Sequence, residues 1–209
     1  LYAIATAVQL ASGLLTIPIL TRVLDPTQYG VVTAALVVQA VLVNVAAFGL
    51  PVAVQRTHFG RGGPTAARSL IFATLLGAIL VCAVAFATGP IWSGIFEDVP
   101  WDAVLKLAVV SAIPSALLLS AQLALQAEDR VRPFLVSAAM ATLGAQALGL
   151  VLAAAFDEPA AYMAGLTIGF TAAALIAWVA AGVEVGGLRR ERGGRDLLTR
   201  SLALGLPTI

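Results

Sequence analysis

Six long apolar segments, separated by short polar turns, make up most of the sequence. They cover residues 2–20, 31–54, 69–88, 104–126, 134–156 and 160–183, and a seventh begins near residue 198. A helix needs about 20 mostly apolar residues to cross a hydrocarbon core about 30 Å thick. Backbone polar groups at that depth must pair within the segment, which favours helices. The pattern therefore predicts an all-α, polytopic transmembrane helix bundle.

The composition fits lipid as the solvent for these segments. Hydrophobic residues make up 60% of the chain and charged residues 11%, whereas soluble domains carry about 25% charged residues. The 12 basic residues nearly balance the 11 acidic ones, so charge points to no nucleic-acid partner. The single cysteine, Cys82, lies inside the third segment. It can form no disulfide within the chain, and we expect it to pack.

The basic residues occupy alternate turns, which predicts an orientation. Ten of the twelve lie after the second, fourth and sixth segments: Arg56, Arg61, Arg68, Arg130, Arg132, Arg189, Arg190, Arg192, Arg195 and Arg200. Only Arg22 and Lys106 share the other side with most of the acidic residues. The positive-inside rule assigns the basic side to the cytoplasm. The chain is therefore predicted to begin on the cytoplasmic side.

The polar residues inside the segments are uncharged near the bilayer centre. A charge at mid-helix costs about 2.5–3.5 kcal/mol on insertion scales, so one is usually kept only for function. The uncharged polar residues at depth include Gln9, Ser12, Thr16, Thr33, Gln39, Asn44, Ser111, Ser115, Ser120, Gln122, Thr142 and Gln146. Two interpretations stay open for them: hydrogen bonds between helices, or the lining of a hydrated cavity.

Three prolines inside the segments, Pro18, Pro51 and Pro114, are predicted to bend their helices because proline removes a backbone hydrogen bond.

Arg56 follows the second segment, and its planar guanidinium suits phosphate oxygens. The alternative for Arg56 is a topology charge that reaches the interface.

No catalytic constellation is visible in the sequence. The only histidine, His58, has no cysteine or acidic residue beside it, so we expect neither a metal site nor a catalytic dyad. The chain also lacks the G-x-x-x-x-G-K-[ST], H-E-x-x-H and G-x-S-x-G motifs. We therefore expect no enzyme activity and no cofactor.

Two stretches point to a family. LTRVLDPTQYG, residues 20–30, and FGLPVAVQR, residues 48–56, resemble the Wzx-like O-antigen and exopolysaccharide flippases of the multidrug/oligosaccharidyl-lipid/polysaccharide (MOP) superfamily. In that family an arginine, a polar turn and a Tyr-Gly pair join the first two helices, and a GLP-type turn followed by basic residues closes the second. The residues that match are Arg22, Tyr29, Gly30, Gly49, Leu50, Pro51 and Arg56.

The resemblance implies a MOP-type fold of two six-helix lobes around a central cavity. Residues 1–188 would form the N-terminal six-helix transmembrane lobe, 189–197 a cytoplasmic Arg-rich connector, and 198–209 the start of the seventh helix. RSLALGLPTI resembles that start. The chain would then be a piece of a longer carrier and inactive alone.

The implied activity is flipping of lipid-linked oligosaccharide across the bacterial cytoplasmic (inner) membrane by alternating access. Arg22 and Arg56 are the expected contacts of the lipid pyrophosphate, and Gln9, Gln39 and Asn44 complete the candidate substrate-binding set. The expected partners are the lipid-linked oligosaccharide, membrane lipids and the polysaccharide polymerase machinery.

Three alternatives stay open. Cation-coupled multidrug exporters share the superfamily but commonly carry an acidic residue in an N-lobe helix, which these segments lack. Peptidoglycan-precursor flippases usually carry more basic residues facing the cavity. A membrane glycosyl-transferring enzyme such as an O-antigen ligase would need a large extracytoplasmic loop with catalytic residues, whereas the outer turns here are short.

Overall fold

The computed structural model describes residues 16–60, 63–95 and 100–183. All regular structure within these residues is helical. Five stretches are long and apolar enough to cross a membrane: Pro26–Phe59, Gly63–Ala87, Ala103–Ala127, Val131–Phe156 and Pro159–Ala181. They coincide with the second to sixth predicted segments, so the predicted fold class, an all-α polytopic membrane bundle, is confirmed.

Of the first predicted segment, the structure describes only the end, a helix over residues 16–23, here named α1. The predicted connector and the predicted start of a seventh helix lie outside the described residues. The later elements are α2 Pro26–Ala47, α3 Leu50–Phe59, α4 Gly63–Ala87, α5 Gly89–Trp92, a 3-10 turn Ser93–Ile95, α6 Ala103–Ala127, α7 Val131–Ala139, a π-helical turn Met140–Gly144, α8 Ala145–Phe156 and α9 Pro159–Ala181.

Helix α6 forms the centre of the bundle. It packs against α2, α3, α4 and α9, and more than half of its most apolar stretch is buried, a larger share than in the other described spans. Pro114 lies inside it without ending the helix. Helix α6 therefore has neighbouring helices on most of its sides, although Val110 and Leu119 are exposed.

The second span is divided by a left-handed turn at Phe48 (φ 44°) and Gly49 (φ 70°). This turn ends α2, and the span continues as α3 for ten residues, so it extends five residues beyond the predicted limit at residue 54. Pro51 lies in the first turn of α3, where a helix needs no N–H donor. Phe48 and Gly49 thus interrupt the helix here, whereas Pro51 costs α3 no hydrogen bond.

Helices α8 and α9 approach closely because small residues face each other. A Cβ added to Gly165 would lie 2.6 Å from the Cα of Gly149, and one added to Gly169 would lie 2.4 Å from the Cα of Ala145. Gly165 and Gly169 are four residues apart and share one helix face. The G-x-x-x-G pattern in GLTIGF therefore serves a contact within the lobe, where small residues let the backbones meet.

Polar contacts group the turns into two ends. At one end, the Gln28 amide donates to the backbone carbonyl of Asp157 (3.5 Å). At the opposite end, Glu128 forms ion pairs with Arg68 (3.1 Å) and Arg130 (3.7 Å), and Arg130 also donates to the Ala180 carbonyl. The described spans therefore alternate as the basic residues predicted, with these two arginines at one end.

Candidate functional site

A cavity of about 390 Å³ lies where α2, α6, the π-helical turn and α9 meet. Five of its lining side chains are polar: Gln39, Asn44, Ser115, Gln122 and Thr142. The other lining residues are apolar, and Phe170 of α9 supplies an aromatic ring. None of the described residues that line this cavity has an ionisable side chain.

Three spans supply the polar groups. Ser115 and Gln122 are seven residues apart on α6, two turns of one helix face. Gln39 and Asn44 come from α2, and Thr142 comes from the π-helical turn. A π turn adds one residue to a helical turn and is frequent at functional sites. Here it falls in the middle of the fifth span, beside the cavity.

The polar side chains are tied into the wall by hydrogen bonds. Gln39 Nε2 donates to Ser115 Oγ (3.3 Å), and Ser115 Oγ donates to the Ser111 carbonyl (2.8 Å). Gln122 Nε2 donates to Ser137 Oγ (3.3 Å), and Ser137 Oγ donates to the Phe134 carbonyl (2.9 Å). Each glutamine is therefore held by a serine that is itself anchored to backbone.

The two remaining polar groups bond within their own helices. Asn44 Nδ2 donates to the Ala40 carbonyl (2.8 Å), and Thr142 Oγ1 donates to the Ala138 carbonyl (2.8 Å). Neither side chain is needed to hold two spans together. Hydrogen bonds between helices therefore do not explain why Asn44 and Thr142 lie at the cavity.

The two interpretations of the polar residues at depth apply to different residues. Ser120 and Thr74 share a buried hydrogen bond between α6 and α4 (3.1 Å), and Tyr162 donates to Gln146 between α9 and α8 (2.7 Å). These residues join helices. Asn44 and Thr142 line the cavity only, whereas Gln39 both bonds to α6 and lines the cavity.

Of the predicted substrate-binding residues, the structure brings Gln39 and Asn44 together at this cavity, and Gln9 lies outside the described residues. Arg22 and Arg56 are both exposed, and neither lines the cavity. They lie beyond opposite ends of α2, whose 22 residues span about 33 Å at about 1.5 Å per residue. One pyrophosphate cannot contact both arginines in this conformation.

Sequence reasoning missed two features of the site. Ser137 holds Gln122 from the fifth span, but nothing in the sequence marks it among other small residues. The π-helical turn likewise has no sequence signal. By contrast, Ser115, Gln122 and Thr142 were visible as polar residues at depth, and only their direction was missing.

A second cavity, of about 400 Å³, lies on the other side of α2, against α4 and Trp92. Its walls are valines, Leu42, Ala85 and two residues with polar atoms. Both of those bond to backbone: Thr88 Oγ1 to the Val84 carbonyl (2.8 Å) and Trp92 Nε1 to the Ala85 carbonyl (2.9 Å). This second cavity is therefore an apolar groove.

Among the described residues, no group of three or more histidine, cysteine or acidic side chains could hold a metal ion.

A comparison with protein-family models matches residues 2–208 to the family described as polysaccharide biosynthesis protein. No curated protein and no solved structure gave a significant match.

The matching family is that of the Wzx-like polysaccharide flippases of the MOP superfamily, so the family predicted from the two motifs is confirmed. Its members are generally transporters rather than enzymes. Since the match covers nearly the whole sequence of a multi-pass helical membrane chain, this chain belongs to the polysaccharide biosynthesis protein family.

Proposed function

We propose that this chain is the N-terminal lobe of a carrier that flips lipid-linked oligosaccharide across the bacterial cytoplasmic membrane by alternating access. Residues 1–188 form the six-helix lobe in this proposal, 189–197 the cytoplasmic connector, and 198–209 the start of the second lobe. The observation that carries the proposal is the cavity between four membrane spans of a polysaccharide biosynthesis family member, in which the polar residues among the described lining are uncharged.

The chemistry of the cavity favours a saccharide path over ion-coupled drug export. Cation-coupled exporters commonly use an acidic residue inside a span, and the described lining of this cavity contains no acidic side chain. The polar groups that do line it suit a hydroxylated cargo, which needs many neutral hydrogen-bond partners. The lobe therefore contributes a neutral wall in this proposal.

The arginines receive separate duties in this proposal. Arg56, exposed in the last turn of α3, lies at the end of the second span that we assign to the cytoplasm from the basic turns. Its guanidinium is placed to meet the pyrophosphate as the lipid enters. Arg22, at the opposite end of α2, is placed to meet it at release.

A flipping assay tests the proposal. The full-length protein is reconstituted in liposomes with a fluorescent polyprenyl-pyrophosphate oligosaccharide, and the fraction reached by an impermeant quencher is followed over time. We expect flipping by the wild type and at least a severalfold slower rate for Arg56→Ala, with Arg56→Lys in between because it keeps the charge but loses the planar fork.

The matched control is Arg132→Ala, an exposed arginine on the same side that should flip at the wild-type rate. Wild-type protein that leaves the lipid in place but exports cationic dyes under an ion gradient would contradict the proposal and favour the drug-exporter branch. Equal loss in Arg56→Ala and Arg132→Ala would reduce both arginines to topology charges.

A further inference from the structure

We infer that the cavity wall formed by Gln39, Asn44, Ser115, Gln122 and Thr142 is a subsite for the neutral sugar part of the cargo, and that it accepts hydrogen bonds from sugar hydroxyls. The term acceptor wall is used below for these five residues. The inference rests on the proposed function and adds which part of the lipid-linked oligosaccharide this lobe contacts.

The orientation of the two glutamine amides follows from backbone anchors. Ser115 has one hydroxyl proton, and that proton is directed at the Ser111 carbonyl, which can only accept. Ser115 can therefore only accept from Gln39, so the amide must present its nitrogen to the serine. The carbonyl oxygen of Gln39, a residue that lines the cavity, is left without a hydrogen bond from the described residues.

The amides of Gln122 and Asn44 are oriented in the same way. The Ser137 proton is directed at the Phe134 carbonyl, so Gln122 must also present its nitrogen to the serine. Asn44 faces the Ala40 carbonyl directly, which again requires the nitrogen. Three amide oxygens therefore accept no hydrogen bond from described residues, and each carries two lone pairs.

The hydroxyls of the wall add acceptors and no donors. The Thr142 hydroxyl donates its only proton to the Ala138 carbonyl, and the Ser115 hydroxyl donates its only proton to the Ser111 carbonyl. What the wall has left is one N–H on each amide and a larger number of oxygen lone pairs. A bound group that donates hydrogen bonds is matched, whereas one that only accepts is not.

A pyrophosphate is the wrong ligand for such a wall. It is an anion that only accepts, and no lysine, arginine or histidine is found among the described residues that line the cavity. The three remaining amide N–H groups are too few to compensate the charges of a pyrophosphate that is taken out of water. A sugar hydroxyl donates as well as accepts, and the C–H faces of a sugar can pack on Phe170 and the neighbouring leucines.

A bare cation is the other ligand that carbonyl oxygens attract. The cavity holds about 390 Å³ and has a largely apolar remainder, which is far more space than one ion fills. In the part of the lining that the structure describes, no carboxylate is present to balance its charge. The acceptor wall therefore fits a polyhydroxylated neutral ligand better than an ion.

The test compares two lipids on the same full-length protein in nanodiscs. One is a polyprenyl pyrophosphate that bears a neutral oligosaccharide of hexose and N-acetylhexosamine, and the other is the same pyrophosphate without sugar. We expect Gln122→Met and Asn44→Leu each to weaken binding of the sugar-bearing lipid by about threefold to tenfold, the value of one lost hydrogen bond. Binding of the sugar-free lipid should not change.

Gln146→Met is the matched control, because it makes the same chemical change at a glutamine that bonds to Tyr162 and does not line the cavity. It should leave the ratio of the two affinities unaltered. Asn44→Leu guards against a folding defect, because the Asn44 side chain bonds only within its own helix. Thermal unfolding of each variant in the same nanodiscs verifies that the fold is kept.

The outcomes separate the two proposals. If Gln122→Met and Asn44→Leu weaken binding of both lipids equally, or of neither, the acceptor wall is not a sugar subsite. The proposal that the protein flips the lipid would still stand. A sodium dependence of binding that Gln122→Met removes would identify a cation site and also overturn it. If the wild type binds neither lipid, the proposed function itself fails.

Discussion

Helix α2 lies between two cavities of nearly equal volume, about 390 and 400 Å³, whose chemistry is opposite. Toward α6 and α9 it presents Gln39, Ala40 and Asn44. Toward α4 it presents Val37, Val38 and Val41, among others. Size therefore says nothing about what each space holds, and the side chains of a single helix make the difference.

The comparison shows how amphipathicity works in a membrane helix. In water, a helix turns its apolar side inward. Here Val37 and Val41 are each 56% exposed, which suits lipid tails, while Gln39 and Asn44 of the same helix line the polar cavity. The apolar groove also has no free polar group to offer, because Thr88 and Trp92 bond to backbone.

The largest effect is expected from a charge placed on each side of α2. Val41→Asp puts a carboxylate against the apolar groove, where insertion scales predict a cost of about 2.5–3.5 kcal/mol. Ala40→Asp, one residue earlier, puts it in the polar cavity, where amide groups and water can solvate it at a smaller cost. The yield of membrane-inserted protein and the temperature of thermal unfolding should both fall more for Val41→Asp than for Ala40→Asp. Equal losses would show that the two cavities are not chemically different.

A second change attacks the packing that positions Phe170 at the polar cavity. Gly169→Val drives side-chain atoms into Ala145, whose Cα lies only 2.4 Å from the added Cβ position. Overpacking of this kind costs about 1–3 kcal/mol, so we expect a lower unfolding temperature in detergent. Gly30→Ala is the control, since no atom lies within 4 Å of its added Cβ. A stable Gly169→Val would contradict the close α8–α9 contact.

The smallest effect is expected from the ion pairs of Glu128. Glu128, at the end of α6, pairs with Arg68 of α4 and with Arg130. Because both arginines are more than a third exposed, Glu128→Gln should cost about 1 kcal/mol or less. The loss should shrink further at high salt. A chemical-denaturation series at two salt concentrations measures it, and a loss independent of salt would argue against the ion pairs.

Several elements of the site were partly predictable. The residues Gln39 and Asn44 stood out because polar side chains are costly at bilayer depth. Arg22 and Arg56 stood out by motif, yet the structure places them at opposite ends of α2, away from the cavity. A motif identifies a family and a chain position, whereas convergence on one site depends on how far apart the helix ends lie.

The amino-acid sequence alone is enough to predict the spans, their alternation between two ends and the depth of each polar residue. These properties are local, because about 20 apolar residues must become a helix in lipid wherever they occur. Two features emerge only from the packed helices: Ser120 bonds to Thr74 while Gln122 lines the cavity, and a π turn lies at Met140–Gly144. Those outcomes depend on the rotation of each helix, which packing against its neighbours sets.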